Sequence, residues 1–192
     1  SKELAGVTLV SDWSCSSSKL EWSPDGKQIA FSAAATGAEQ HEVYAVNADG
    51  SGLTNLTNHP AHDSFMALSP DGQRILFSSD RDQVDETCKQ NLYIMNRDGT
   101  NVRRLVDCIE CKPQAGTWLP SSKSQIVIST KWPEWPGAMG WYVMDIECIL
   151  ANSAAPGDML AHCRTKLPEP SGPEVYPVWP PGGKQFSYEI VD

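Results

Sequence analysis

Two decapeptides in this chain match at most of their positions. Trp22 opens WSPDGKQIAF and Leu68 opens LSPDGQRILF. Two degenerate copies follow, WLPSSKSQIVI from Trp118 and WPPGGKQFSY from Trp179, and both keep the aromatic, a Pro and a short apolar strand. A second element falls between the copies: VYAVNADG over Val43–Gly50, LYIMNRDG over Leu92–Gly99, and a weaker WYVMD over Trp141–Asp145. Self-similarity at a near-fixed period points to stacked units, each too thin to bury both its faces alone.

Each unit reads as four strands. Strand A runs up to the Trp or Leu before Ser-Pro-Asp-Gly, and strand B follows it. Strand C is the VYAV or LYIM segment, and strand D follows the Asp-Gly turn. Pro presets φ and Gly accepts positive φ, so Pro-Asp-Gly and Asp-Gly mark tight turns. The β-branched and aromatic residues around them suit a pleated, half-buried surface. Four antiparallel strands every ~40–50 residues is the pattern of a β-propeller blade. A two-sheet sandwich accounts for the strands but not for one motif recurring at one place in each unit. The expected fold class is therefore all-β, a β-propeller with about three and a half blades in one domain. The units cover 18–57, 64–106, 114–170 with an insertion over 147–170, and an incomplete 175–192. Leu4–Val10 reads as one outer strand. Lending it to the last unit still leaves a strand C missing, so the chain is expected to be part of a larger ring.

Strand direction sorts residues onto two ends. A–B and C–D turns share one end, and B–C and D–A loops share the other. His41, at the start of a strand C, and His59, His62 and Asp63, in a D–A loop, all fall at the loop end and are candidate binding residues, weighed against the ordinary polar linker between blades. So does the acidic run Asp80, Asp82, Asp85 and Glu86, read as a solvated loop because it lacks the spacing of a calcium-binding loop. Trp132 and Trp135 flank a Pro-constrained loop there and suit either a rigid binding anchor or cover for the blade edge. Trp22, Trp118 and Trp179 recur at one blade position and are assigned to the core.

Six cysteines, an even number, suit disulfides in an oxidising compartment. Cys148 and Cys163 bracket the insertion and are read as a disulfide closing it. Cys88 is expected to pair with Cys108 or Cys111, leaving the other for Cys15. Zinc held by thiolates is the alternative, but a single CxxC is a weak motif for it. Calcium likewise lacks its motif, so no cofactor is expected.

The two recurring elements, SPDG-K-x-I-A-F and Y-x-x-N-x-D-G, resemble the TolB-type propeller repeats of bacteria, a WD40-like class. The resemblance is specific over Ser18–Val106 and weaker beyond. It departs from the pattern at Pro120-Ser121-Ser122 and in the insertion Glu147–Pro170. It implies a non-enzymatic platform outside the cytoplasm, periplasmic or secreted, that binds other protein chains or serves as an assembly subunit. Its rivals are the propeller of a larger hydrolase or peptidase, and a carbohydrate-active propeller with its site at the loop end.

The remaining residues narrow the classes. There are 24 acidic against 15 basic residues, a net charge of −9, which disfavours nucleic acid and anionic membranes as partners. No apolar run approaches the ~20 residues that span a bilayer. There is no GxSxG, HExxH, GxGxxG or P-loop, and Ser16-Ser17-Ser18-Lys19 precedes a strand, where an SxxK nucleophile does not sit.

Overall fold

The structure is a computed structural model that describes residues 3–4, 7–8, 19–82, 90–105, 115–131, 139–152, 162–167, 175–178 and 187–190. Its described strands pair antiparallel in one six-stranded sheet, two four-stranded sheets and one two-stranded sheet. The first unit holds β1 (Glu3–Leu4), β2 (Val7–Thr8), β3 (Leu20–Trp22), β4 (Gln28–Ala35), β5 (His41–Asn47) and β6 (Thr54–Asn55). The second holds β7 (Asp63–Leu68), β8 (Arg74–Ser79), β9 (Asn91–Asn96) and β10 (Arg103–Arg104). The third holds β11 (Ala115–Trp118), β12 (Gln125–Lys131), β13 (Met139–Asp145) and β14 (Arg164–Lys166), with helix α1 (Ile146–Ala151) following β13. β15 (Val175–Val178) and β16 (Ser187–Ile190) pair as a hairpin.

Two-residue periodicity explains why these blades stack. In β4 and β5, Ala30, Val43 and Ala45 face the second blade and join Phe65, Leu68, Ile75, Phe77 and Tyr93 in one buried cluster. Phe31 and Tyr44 point the other way, stacked at 6.0 Å. The opposite face of the second blade presents Met66, Leu76, Leu92 and Ile94 to Trp118, Ile126, Ile128 and Met144 of the third. Both faces of the second blade are thus buried, and each fully buried Leu or Ile contributes about 1.5–3 kcal/mol.

Two features differ from the sequence reading. The N-terminal strands do not complete the last blade. β1 and β2 form a hairpin whose Val7 and Thr8 pair with Ala35 and Ala34 of β4, so they extend the first sheet. Trp22 is also not core: it is 51% exposed and Leu20 is 58% exposed, whereas Trp118 is 2% exposed. Trp118 has the second blade beside it, and no described sheet lies against the corresponding flank of β3. Trp179 lies outside the described residues.

The first two blades are also tied at their inner strands. Lys19 Nζ donates to the Met66 carbonyl at 2.6 Å, and Glu21 Oε2 accepts from the Leu68 N–H at 3.4 Å. β7 is irregular between Phe65 and Ala67, just where Lys19 reaches it.

Candidate functional site

The loop end of the first two blades gathers ionisable side chains. Asp63 opens β7, fully buried, and Arg81 from the B–C loop lies on it with Nη2 3.0 Å from each carboxylate oxygen. The guanidinium is itself nearly enclosed, its side chain 12% exposed. Its Nε donates to Ser79 Oγ at 2.9 Å, and its plane sits about 5 Å from the ring centres of Phe77 and Tyr93. Register makes this possible: Asp63 pairs with Ser79, and Ser79 with Asn91, so the three share one face of the sheet. Asp82 accepts from the Tyr93 hydroxyl and from Arg104 Nη1. Burial, and then the Asp82 acceptor, push the Tyr93 hydroxyl well above the usual phenol range.

The histidines are brought together in part. His41 is buried, and its ring meets that of His62 edge-on at 6.2 Å. The His41 N–H donates to His62 Nδ1 at 3.4 Å, so in this geometry that nitrogen is an acceptor. Burial, with His62 adding to it, holds the His41 ring below the usual imidazole range. The His62 N–H donates to Asp80 Oδ1 at 2.9 Å. His59 turns back onto its own loop, where its Nδ1 accepts from the Ala61 N–H at 3.2 Å.

Glu42, Arg81 and Tyr93 belong to this cluster and were missed in the sequence. Glu42 takes hydrogen bonds from the Thr57 hydroxyl and from the His59 N–H, the latter at 3.0 Å and 3.2 Å. Burial raises its carboxyl above the ordinary range, partly offset by Thr57. The available signal was Arg81, a lone cation inside the acidic run Asp80–Glu86. Of that run, Asp80 and Asp82 are engaged as described, and Asp85 and Glu86 lie outside the described residues.

Trp132, Trp135, Cys15, Cys88, Cys108 and Cys111 also lie outside the described residues. Cys148 and Cys163 form a disulfide, with Cα atoms 5.6 Å apart, at the turn end of the third blade. His162 lies near both sulfurs, but sulfurs joined to each other are not thiolates and do not offer a metal the charge it needs. Asp145 caps α1 by accepting from the Cys148 N–H at 3.1 Å, which sets where the bridge begins.

The cluster has the chemistry of a lock. Its carboxylates already accept from neighbouring loops and strands, and its guanidinium is enclosed. A family model described as TolB beta propeller domain matches residues 4–135. The chain belongs to that family. An uncharacterised protein of Agrobacterium fabrum is 34% identical over 90 residues, which is 45% of this chain and 30% of the relative. The Tol-Pal system protein TolB of Francisella tularensis subsp. tularensis is 32% identical over 84 residues, 44% of this chain and 18% of that protein. Among solved structures, TolB from Acinetobacter baumannii superposes with a TM-score of 0.65 at 20% identity, covering 91% of this chain and 38% of that one. The chain thus spans well under half of these family members, and the blades described above are the β-propeller blades of the family. No described helix is long and apolar enough to cross a membrane.

Proposed function

We propose that this chain is part of a non-enzymatic propeller platform that binds other protein chains outside the cytoplasm. The observation that carries the reading is the Asp63–Arg81 pair. The buried carboxylate that a loop-end catalytic site would use is already bound on both oxygens by a guanidinium from its own blade. A general acid or base must reach the reacting proton, and this one faces inward. Three further observations support the reading. The Cys148–Cys163 bridge suits an oxidising compartment. The Francisella relative is named as a protein of the Tol-Pal system. The open Leu20–Trp22 flank matches a surface that is covered in the next two blades, which fits a ring with further blades. The proposed role needs no cofactor, and the negative charge disfavours phosphate-rich partners.

Native mass spectrometry of the full-length protein, isolated from its source without reductant, tests this. The expected result is a complex with other protein chains, with Cys148 and Cys163 unreactive to thiol reagents. A solitary protein with reactive thiols overturns it.

A further inference from the structure

Three side chains of the kind that bind zinc meet at the turn end of the third blade. Cys148 comes from α1, and His162 and Cys163 stand just before β14. Their ligand atoms, one from each residue, lie within 4.8 Å of one another. The two sulfurs are joined as a disulfide, and in that state they hold no charge for a metal. We propose that reductive opening of this bridge turns the same three side chains into a zinc site. Cys148 and Cys163 bind as thiolates, His162 as a neutral imidazole, and water takes the fourth position. The platform role above does not depend on it.

Each half of the site is held by contacts other than the bridge. Ile146 and Ile149 of α1 are buried in the junction with the second blade. Glu147 Oε1 accepts from Arg74 Nη1 of that blade at 2.6 Å. The Cys148 N–H donates to Asp145 Oδ1, and the Cys148 carbonyl accepts from Asn152 Nδ2 at 2.8 Å. On the other side, Arg164, Thr165 and Lys166 of β14 pair with Met144, Val143 and Tyr142 of β13, and Cys163 is buried. The Cα atoms of the two cysteines are thus fixed 5.6 Å apart. From there, side-chain rotation parts the sulfurs to the ~3.7 Å that tetrahedral zinc with Zn–S bonds of about 2.3 Å requires. Two thiolates cancel the charge of the ion, which suits one buried and one half-buried sulfur. Thiolate and imidazole ligands favour zinc over calcium or magnesium, and three protein ligands with an open fourth position are a common zinc arrangement. His162 is exposed, so ion and water enter from solvent. A dithiol supplies the opening step. Its two sulfurs join as a disulfide, its two electrons break the Cys148–Cys163 bond, and its two protons leave both cysteines as thiols. Zinc then displaces those protons to solvent.

The test is zinc uptake by the full-length protein, before and after reduction with a phosphine that is then removed. Zn2+ alone is the probe, with a chromophoric chelator competing for it. The chain holds six cysteines, so the site is counted by difference. The reduced unsubstituted protein is expected to bind one more zinc per chain than reduced Cys148→Ser, and more than the oxidised protein. His162→Gln should weaken that zinc by about a hundredfold. It changes an exposed side chain outside the core, so it reads the site even if Cys148→Ser does not fold. Equal zinc in the oxidised and reduced proteins, equal zinc in folded Cys148→Ser, or unchanged affinity in His162→Gln overturns the proposal.

Discussion

The two ends of the blades are built by different rules. At the turn end, the first and second units are near copies in atomic detail. Ser23 Oγ donates to Asp25 Oδ1 at 2.6 Å, and Ser69 Oγ to Asp71 Oδ1 at 2.7 Å. Gly26 N–H reaches the Ser23 carbonyl and Gly72 N–H the Ser69 carbonyl, both at 2.8 Å. The third unit keeps the turn without Asp-Gly: Ser122 N–H donates to the Leu119 carbonyl, and Ser122 Oγ accepts from Gln125 N–H. At the loop end the described residues do not repeat in this way. Asp63, Arg81, Glu42 and the His41–His62 pair have no counterparts of the same kind in the described parts of the other units. Local turn chemistry holds one end, and among the described residues an enclosed ion pair with its attendants holds the other. A fold made of repeats keeps one end constant and lets the other take on individual roles.

The sharpest way to break this comparison is to remove the lock. Asp63→Ala leaves the Arg81 guanidinium enclosed and unpaired, and should cost about 3–5 kcal/mol in urea unfolding of the full chain. The double change Asp63→Leu with Arg81→Met should recover most of that, because two apolar groups leave no charge stranded. A cost below about 1 kcal/mol for the single change would mean that the loop end is held by something else.

A smaller contrast lies within the turn end. Gly50 and Gly99 occupy equivalent turns with φ of 84° and 83°. A Cβ at Gly50 meets nothing within 4 Å, whereas one at Gly99 would lie 2.4 Å from the Leu56 carbonyl oxygen of the preceding blade. Gly50→Ala should cost about 1 kcal/mol from backbone strain alone. Gly99→Ala should cost about 2–3 kcal/mol, because the blades must also part. Equal costs, measured by thermal unfolding, would show that the blades are not in contact at that turn.

The smallest effect distinguishes the ends by sign. The Ser23 hydroxyl, then the Lys27 N–H and Arg97, hold the Asp25 carboxyl far below the usual range. Its contribution is complete above the ordinary aspartate value of about 4 and is lost as pH falls through the lowered one. Glu42 has the opposite shift. Its ionised form disfavours the fold, and that penalty is relieved as pH falls through its raised value toward the ordinary one. On acidification, the Tm of the unsubstituted chain should fall relative to Asp25→Asn and rise relative to Glu42→Gln. Slopes of the same sign would show that the two ends are electrostatically alike.

What the sequence made legible follows the same division. The turns could be read because Pro24-Asp25-Gly26 and Pro70-Asp71-Gly72 act within a few residues of themselves. The Cys148–Cys163 bridge could be read because both cysteines bracket one insertion. Asp63 and Arg81 lie 18 residues apart, one at the start of β7 and the other in the B–C loop, and only β-sheet register brings them together. Trp22 exposes a different gap. Repeat position tells which face a side chain takes, but not whether another sheet stands against that face.

The bonds from Lys19 and Glu21 to the backbone of β7 bear on how look-alike modules find their proper order. The corresponding positions in the second unit are Phe65 and Ala67, and in the third Ala115 and Thr117. None of these residues can repeat the charged grip on a neighbour's main chain. A module that slipped into the wrong place would leave the Met66 carbonyl and the Leu68 N–H without those partners. Chains of similar modules are prone to misassembly during folding. Here the first junction carries an address label, so that resemblance among the blades does not make them interchangeable.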